Sequence, residues 1–205
     1  RRVLDGPRSA STGARIYAGY EPGGVNSPSW VSFITGPAIP GVVPLGFNGF
    51  LGNAYFADLA GQGGDTTSFA FPTFDFGAGV SAAQSHAIGS ETLASAVDAG
   101  STDLSGMKAR GAKIIMSTGW DDPVVPARSI IDYYESVVAG PSFGQSLAAT
   151  RDSFRLFLVP GENHLTGGAG ATAFGSIFGQ PAISADSKHD MLAALEAWVE
   201  HGVAP

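Results

Sequence analysis

Cysteine is absent from the 205 residues, so the chain has no disulfide, no thiolate nucleophile and no cysteine-bound metal. Long hydrophobic runs are missing as well, and no apolar stretch approaches the roughly 18 residues of a membrane span. Positive charge is scarce, with 11 Lys and Arg against 18 Asp and Glu. Phosphate binding needs clustered Lys and Arg, so the net charge of −7 argues against nucleic acid as a partner. Because long apolar runs are missing, we expect no membrane partner either.

The few basic residues are unevenly spread, and none occurs between Arg15 and Lys108. A ligand that touches this region would therefore meet apolar, aromatic and hydroxyl groups without a paired cation. Such a loop-rich, ring-rich segment can wall an apolar pocket, or its rings can form the segment's own core. Ten aromatic rings lie between residues 30 and 76: Trp30, Phe33, Phe47, Phe50, Tyr55, Phe56, Phe69, Phe71, Phe74 and Phe76.

The organisation of the chain changes near residue 100. Residues 1 to about 85 are irregular, with one or two helical turns predicted at 53–59 and a short strand at 69–71, and a helix is predicted at 81–99. The chain starts at Arg1 without an initiator Met or a signal peptide, and we interpret it as a fragment, a processed chain or a domain of a longer protein.

Residues 101–205 alternate between strand and helix. The apolar runs predict strands at 112–118 and 154–159, and the spacing of apolar residues predicts helices at 127–138 and 187–201. This order is typical of an α/β fold with a parallel sheet. Two buried parallel strands do not make a stable sheet alone, so we expect the remaining strands to come from polypeptide outside this chain.

An acid and a histidine follow the two predicted strands. Asp122 comes after the first strand and His164 after the second, which is the order of acid and base in α/β-hydrolases. His164 would take a proton from a Ser hydroxyl, while Asp122 would orient the imidazole and stabilise its charged form. We expect the neighbouring Asp121 to be solvated or to cap a helix, and Glu162 to lie on the loop surface.

The nucleophile is not evident in this chain. A Gly-x-Ser-x-Gly string centred on Ser142 lies after a predicted helix and between the acid and the base, so it does not fit a nucleophile elbow. A metal site of Asp121, Asp122 and His164 would lack a second histidine at short spacing. Single-residue alternatives are a turn or capping carboxylate for Asp122 and a backbone-bonded loop residue for His164.

Several stretches carry a resemblance to a known family. The segment 119–123, Gly-Trp-Asp-Asp-Pro, is similar to that family's acid loop, and Asp-Tyr-Tyr-Glu at 132–135 is similar to its next helix. The segments 4–8, 17–23, 102–113, 154–164 and 198–205 extend the match over most of the chain. Together they resemble the tannase/feruloyl esterase family, which consists of α/β-hydrolases with a large lid.

The resemblance implies a division of roles along the chain. Residues 1–100 would be the remainder of the lid and 101–205 the C-terminal part of the hydrolase core, with Asp122 as triad acid and His164 as triad base. The family's cysteine after the histidine is replaced by Leu165, so we expect packing of Leu165 to hold the His loop against the Ser loop. The family's lid calcium would lie upstream, and no cofactor is expected within this chain.

We therefore predict a serine-type carboxylic ester hydrolase that acts on a small, aromatic ester. An N-terminal polypeptide would supply the Ser and the oxyanion hole. The resemblance also implies a secreted or periplasmic location. Two other functions stay open from the sequence: a transferase, lyase or cyclase of α/β-hydrolase type acting on a secondary metabolite, and a non-catalytic subunit.

Overall fold

The chain folds into two compact units. The computed structural model describes residues 2–38, 40, 46–62, 74–165, 167–175 and 182–205. The first unit comprises Arg1–Tyr20 and Asn26–Ala99, and the second comprises Glu21–Val25 and Gly100–Pro205. The sequence places a change of organisation near residue 100, but it gives no sign that Glu21–Val25 packs with the second unit.

Short helical turns dominate the first unit. Ser27 starts one of them, because its Oγ accepts the Trp30 N–H at 3.3 Å and Pro28 fills the first helical position. The elements in chain order are α1 (Arg2–Asp5), α2 (Pro28–Trp30) with a π turn (Val31–Thr35), α3 (Phe47–Ala54) with a π turn (Tyr55–Leu59), α4 (Ala78–Ser85), β1 (Ala87–Ile88), β2 (Glu91–Thr92) and α5 (Leu93–Val97).

Aromatic rings in the first unit pack on one another. The Tyr20 and Trp30 rings meet edge to face at 5.5 Å, and Phe56 lies 4.6 Å from Phe74. These contacts favour the interpretation that many of the rings form their own core. Three of the rings are nevertheless well exposed: Phe47 at 49%, Phe50 at 55% and Phe76 at 40%. The predicted strand at 69–71 and its two rings fall outside the described residues.

The prediction of one helix over 81–99 is wrong. α4 ends at Ser85, and β1 and β2 then form an antiparallel hairpin that turns at Gly89, whose φ of +61° is readily adopted by glycine. α5 starts with a capping box, since Thr92 Oγ1 accepts the Ser95 N–H and Ser95 Oγ accepts the Thr92 N–H, both at 3.2 Å. Local hydroxyl capping thus outweighs the helix propensity of the alanines.

The second unit contains the predicted alternation. Its elements are a 3-10 turn (Pro22–Asn26) that extends one residue into the first unit, then α6 (Ser105–Ala109), β3 (Ile114–Gly119), α7 (Ala127–Ala139), a 3-10 turn (Pro141–Phe143), α8 (Leu147–Arg151), β4 (Phe154–Val159) and α9 (Met191–His201). The sequence does not predict α8. α9 begins later than expected because Asp190 caps it, its Oδ1 accepting the Leu192 and Ala193 N–H groups.

β3 and β4 are parallel neighbours, with Ile114 opposite Phe154 and Gly119 opposite Val159. The fully buried Phe154 packs with Val137 of α7, and its ring meets Tyr134 edge to face at 4.9 Å. α9 covers the sheet face that carries Ile115. Because both strands end in the same register, the loops that follow them lie side by side.

Trp198 fixes α9 to the start of the two strands. It is buried, and both the Lys113 ammonium and the Arg155 guanidinium lie over its ring, each 5.2 Å from the ring centroid. No helix in the described ranges is both long and apolar enough to cross a bilayer.

Candidate active site

The loops after β3 and β4 bring Asp122 and His164 together. The Asp122 Oδ2 atom lies 2.8 Å from the Nδ1 atom of His164. Asp122 is only 7% exposed, whereas the His164 side chain is 32% exposed. A buried carboxylate therefore faces one imidazole nitrogen, and Nε2 lies on the opposite side of the ring. We refer to this pair as the Asp122–His164 dyad.

The second oxygen of Asp122 shapes its own loop. Asp122 Oδ1 accepts the Val124 N–H at 2.7 Å and the Val125 N–H at 3.0 Å. Such a carboxylate-capped turn is common for Asp before Pro. Asp122 therefore both caps its own turn, through Oδ1, and contacts the histidine, through Oδ2.

Backbone hydrogen bonds join the two loops directly. Trp120 N–H donates to Val159 O at 2.9 Å, and Asp121 N–H donates to Glu162 O at 3.0 Å. At the crossing, a Cβ on Gly119 would lie 2.3 Å from Glu162 O, far inside van der Waals contact. Glycine at the end of β3 therefore allows the acid loop to approach the His loop closely.

Asp121 does not share the role of its neighbour. It is half-buried against the segment Glu21–Val25, where a Cβ on Gly23 would lie 2.2 Å from Asp121 Oδ1. The sequence predicts a solvated or capping carboxylate and does not reveal this contact. The consecutive glycines Gly23 and Gly24 permit such a close approach, but they do not indicate which segment makes it.

The expectation that Glu162 lies on the surface is wrong, since only 4% of it is exposed. Burial raises the pKa of the Glu162 carboxyl, and the negative charge of Asp122 raises it further. Glu162 follows a tight turn in which its N–H donates to Val159 O at 3.3 Å. That turn directs the residue inward.

A cavity of about 160 Å³ opens beside the dyad, and we call it the dyad cavity. Asp122, Glu162 and His164 contribute its ionisable groups. Its wall is otherwise mostly apolar, with Val125, Ile130, Leu165, Phe174 and Met191. Leu165 is half-exposed and has a left-handed backbone with φ +63°, which is unusual for a leucine.

The family model "Tannase and feruloyl esterase" matches residues 1–205. The chain belongs to the tannase and feruloyl esterase family. The resemblance seen in the acid loop and the His loop is thereby confirmed.

Relatives of this tannase/feruloyl esterase family chain are considerably longer. An uncharacterised esterase of Xanthomonas campestris pv. campestris is 45% identical over 212 residues, which cover 99% of this chain and 36% of that protein. A mono(2-hydroxyethyl) terephthalate hydrolase of Piscinibacter sakaiensis is 38% identical over 105 residues, or 51% of this chain and 14% of that protein. The chain thus spans about a third of the first relative's length.

Solved structures agree on the fold. Feruloyl esterase B from Aspergillus oryzae superposes with a TM-score of 0.74 at 21% identity, covering 99% of this chain and 35% of that one. Tannin acyl hydrolase from Aspergillus niger gives a TM-score of 0.68 at 22% identity, with 99% and 34% covered. The predicted α/β-hydrolase fold class is therefore confirmed.

The Ser142 hydroxyl is held by local hydrogen bonds. It is buried, and its Oγ donates to Asp103 Oδ1 at 3.2 Å. Ser142 Oγ also accepts the Leu104 N–H at 3.0 Å. It lies in a 3-10 turn that follows α7, without a strand before it. This placement agrees with its exclusion as the serine of a nucleophile elbow.

The remaining histidines have other local environments. His86 caps the end of α4, and exposed His189 pairs with Asp186 at 2.8 Å instead of lying in a helix as predicted. His201 is exposed in the last turn of α9. Within the described residues, no group of three or more His, Asp or Glu side chains is arranged to hold a metal ion.

Proposed function

We propose that this chain supplies the acid and the base of a Ser-His-Asp carboxylic ester hydrolase. The observation that carries the proposal is the 2.8 Å contact between Asp122 Oδ2 and His164 Nδ1, made by a buried carboxylate. A carboxylate in this position holds the imidazole in the tautomer whose Nε2 accepts a proton. The names of the relatives, which are esterases and a terephthalate ester hydrolase, support the same chemistry.

In the proposed reaction, His164 Nε2 removes the proton of a Ser hydroxyl as the Ser oxygen attacks the ester carbonyl. The tetrahedral intermediate collapses, the C–O bond to the alcohol breaks, and the alcohol leaves with the proton from His164. Water then attacks the acyl-enzyme, again giving its proton to Nε2. The carboxylic acid is released and the proton returns to Ser. Asp122 stabilises the imidazolium in both halves.

We further propose that an N-terminal polypeptide carries the Ser and the oxyanion hole. Two parallel strands need further strands beside them, and the first matched relative is about three times longer than the aligned region. We propose aromatic acyl esters as substrates, because two of the compared proteins are a feruloyl esterase and a tannin acyl hydrolase. The ring-rich first unit is compatible with such substrates.

The test uses the complete enzyme, with the Ser-bearing polypeptide identified by intact mass and N-terminal sequencing of the purified material. Hydrolysis of p-nitrophenyl acetate and ethyl ferulate is followed in wild type and in His164→Ala. We expect His164→Ala to abolish turnover with folding retained, while His201→Ala, at an exposed histidine, retains it.

Labelling by a fluorophosphonate identifies the Ser. We expect one Ser of the N-terminal polypeptide to be labelled in wild type, and labelling to slow strongly in His164→Ala. Full activity in His164→Ala would overturn the triad assignment. A labelled, His164-dependent enzyme that transfers acyl groups without hydrolysing them would indicate a transferase, and no labelling at all would indicate a non-catalytic subunit.

A further inference from the structure

Glu162 is an ionisable group of the dyad cavity that the proposed mechanism does not use. It is 4% exposed and lines the cavity together with Asp122 and His164. A carboxyl group of a loop residue usually points to solvent, since burying its charge is unfavourable without a partner. Its inward position therefore calls for a function.

The backbone holds Glu162 in place independently of its side chain. Its N–H donates to Val159 O, and its carbonyl accepts the Asp121 N–H at 3.0 Å. Glu162 also forms an isolated antiparallel β-bridge with Gly168. Among the described residues, no Lys or Arg lines the dyad cavity. The backbone thus keeps Glu162 in a cavity that Asp122 and His164 also line, and His164 is the group among the described lining residues that can carry a positive charge.

The charge of Asp122 acts on the Glu162 carboxyl. The negative charge of Asp122 is one cause of the raised pKa of Glu162, after burial. When both carboxyl groups are ionised, they place two negative charges in the cavity that His164 also lines. The group in this cavity that benefits from two neighbouring negative charges is the imidazolium of His164.

We propose that Glu162 is a positioning residue whose carboxylate acts with Asp122 to stabilise the protonated form of His164 during catalysis. This inference rests on the proposed function, because it assigns the imidazolium a catalytic role. Other charged groups near the cavity do not replace it: Asp121 packs against Gly23, and Arg128 and Asp132 of α7 approach each other to 3.9 Å. α9 contributes Met191, which carries no charge.

Glu162→Gln and Glu162→Asp separate charge from shape. Gln keeps the size and removes the charge, whereas Asp keeps the charge on a shorter side chain. We expect the acid limb of the pH profile of kcat/KM to move to lower pH by about 0.5 unit or more in Glu162→Gln, and less in Glu162→Asp. Glu135→Gln removes an equal charge from an exposed site on α7 and should leave the limb in place.

A purely structural role predicts the reverse order. In that case Glu162→Gln would match wild type and Glu162→Asp would be the impaired variant, which would overturn the inference. The activities are measured on p-nitrophenyl acetate with the complete enzyme, and circular dichroism verifies that each variant is folded.

Two NMR titrations test the electrostatics without using activity. The midpoint of the His164 ring-proton titration should fall in Glu162→Gln by about as much as the acid limb and stay fixed in Glu135→Gln. In Asp122→Asn, where Glu162 is intact, the pKa of the Glu162 carboxyl should fall. An unmoved His164 midpoint, or an unmoved Glu162 pKa in Asp122→Asn, refutes the inference. Moved midpoints in a protein without esterase activity refute the proposed function instead.

Discussion

The two oxygens of Asp122 have different partners, so two substitutions of this residue should give different results. Oδ1 accepts the Val124 and Val125 N–H groups, and Oδ2 contacts His164 Nδ1. In Asp122→Asn the amide oxygen can still accept both backbone N–H groups. Its NH₂ would then face Nδ1 and force Nδ1 to accept, which leaves the proton on Nε2. Asp122→Ala removes both contacts.

The expected magnitudes follow from these contacts. The wrong imidazole tautomer reduces kcat by about 10⁴-fold in Ser-His-Asp triads, so Asp122→Asn and Asp122→Ala should both lose activity to that extent. Hydrogen bonds to a charged acceptor contribute about 1.5–3 kcal/mol each. Because the two Val N–H groups are only part-buried, we expect Asp122→Ala to lower the free energy of unfolding by about 2–4 kcal/mol and Asp122→Asn by about 1 kcal/mol.

Urea denaturation followed by circular dichroism measures the stability of the complete enzyme, and single-substrate kinetics on p-nitrophenyl acetate measure kcat. Asp121→Asn is the matched control, since it changes the adjacent acid, and it should keep activity within about tenfold. Equal urea midpoints for the two Asp122 variants would refute the division of roles between the oxygens. More than a tenth of wild-type activity in Asp122→Asn would refute the orienting role.

Three further predictions concern the surroundings of the dyad. The raised pKa of Glu162 means that the folded state holds this proton more tightly, so stability falls as pH rises from 4.5 through the folded pKa. Glu162→Gln should therefore be more stable relative to wild type at pH 7 than at pH 4 in urea titrations, and a pH-independent difference would contradict this. Phe154→Ala, at a fully buried core ring, should lower the free energy of unfolding by about 3–5 kcal/mol, and a loss below about 1 kcal/mol would show that the core does not depend on this ring. Gly119→Ala should reduce kcat more than about tenfold, because its Cβ would lie 2.3 Å from Glu162 O. The control Gly106→Ala should retain kcat, because its Cβ would meet nothing closer than 3.9 Å. Equal activities of the two variants would show that the loop crossing tolerates a methyl group.

The second unit is predictable because its signals are regular. Apolar runs mark β3 and β4, and the order of acid and base after these strands predicts the contact between Asp122 and His164. The same loops indicate the family, which the family model confirms. Such agreement is expected where local propensity and tertiary packing favour the same structure.

The errors arise where a distant or subtle contact decides the structure. The alanine-rich stretch 81–99 has good helix propensity, yet Gly89 and the capping pair Thr92–Ser95 divide it. The stretch around Glu162 has the composition of a surface loop. The burial of Glu162 depends on backbone hydrogen bonds between the acid loop and the His loop, which the sequence does not reveal. No pattern within residues 21–25 indicates that Gly23 will meet Asp121, because that contact depends on the whole intervening chain.

The contact between Gly23 and Asp121 has a consequence for the folding order. The two residues are about 100 positions apart, so closing this loop carries a larger entropic penalty than pairing β3 with β4, which are about 40 positions apart. Contacts of long sequence separation generally form late in folding. The acid and the histidine can therefore meet while the Asp121 side of the acid loop is still uncovered. Arrival of the glycine pair would then be the last step that completes the loop, and slow refolding of activity after secondary structure has returned would be its kinetic signature.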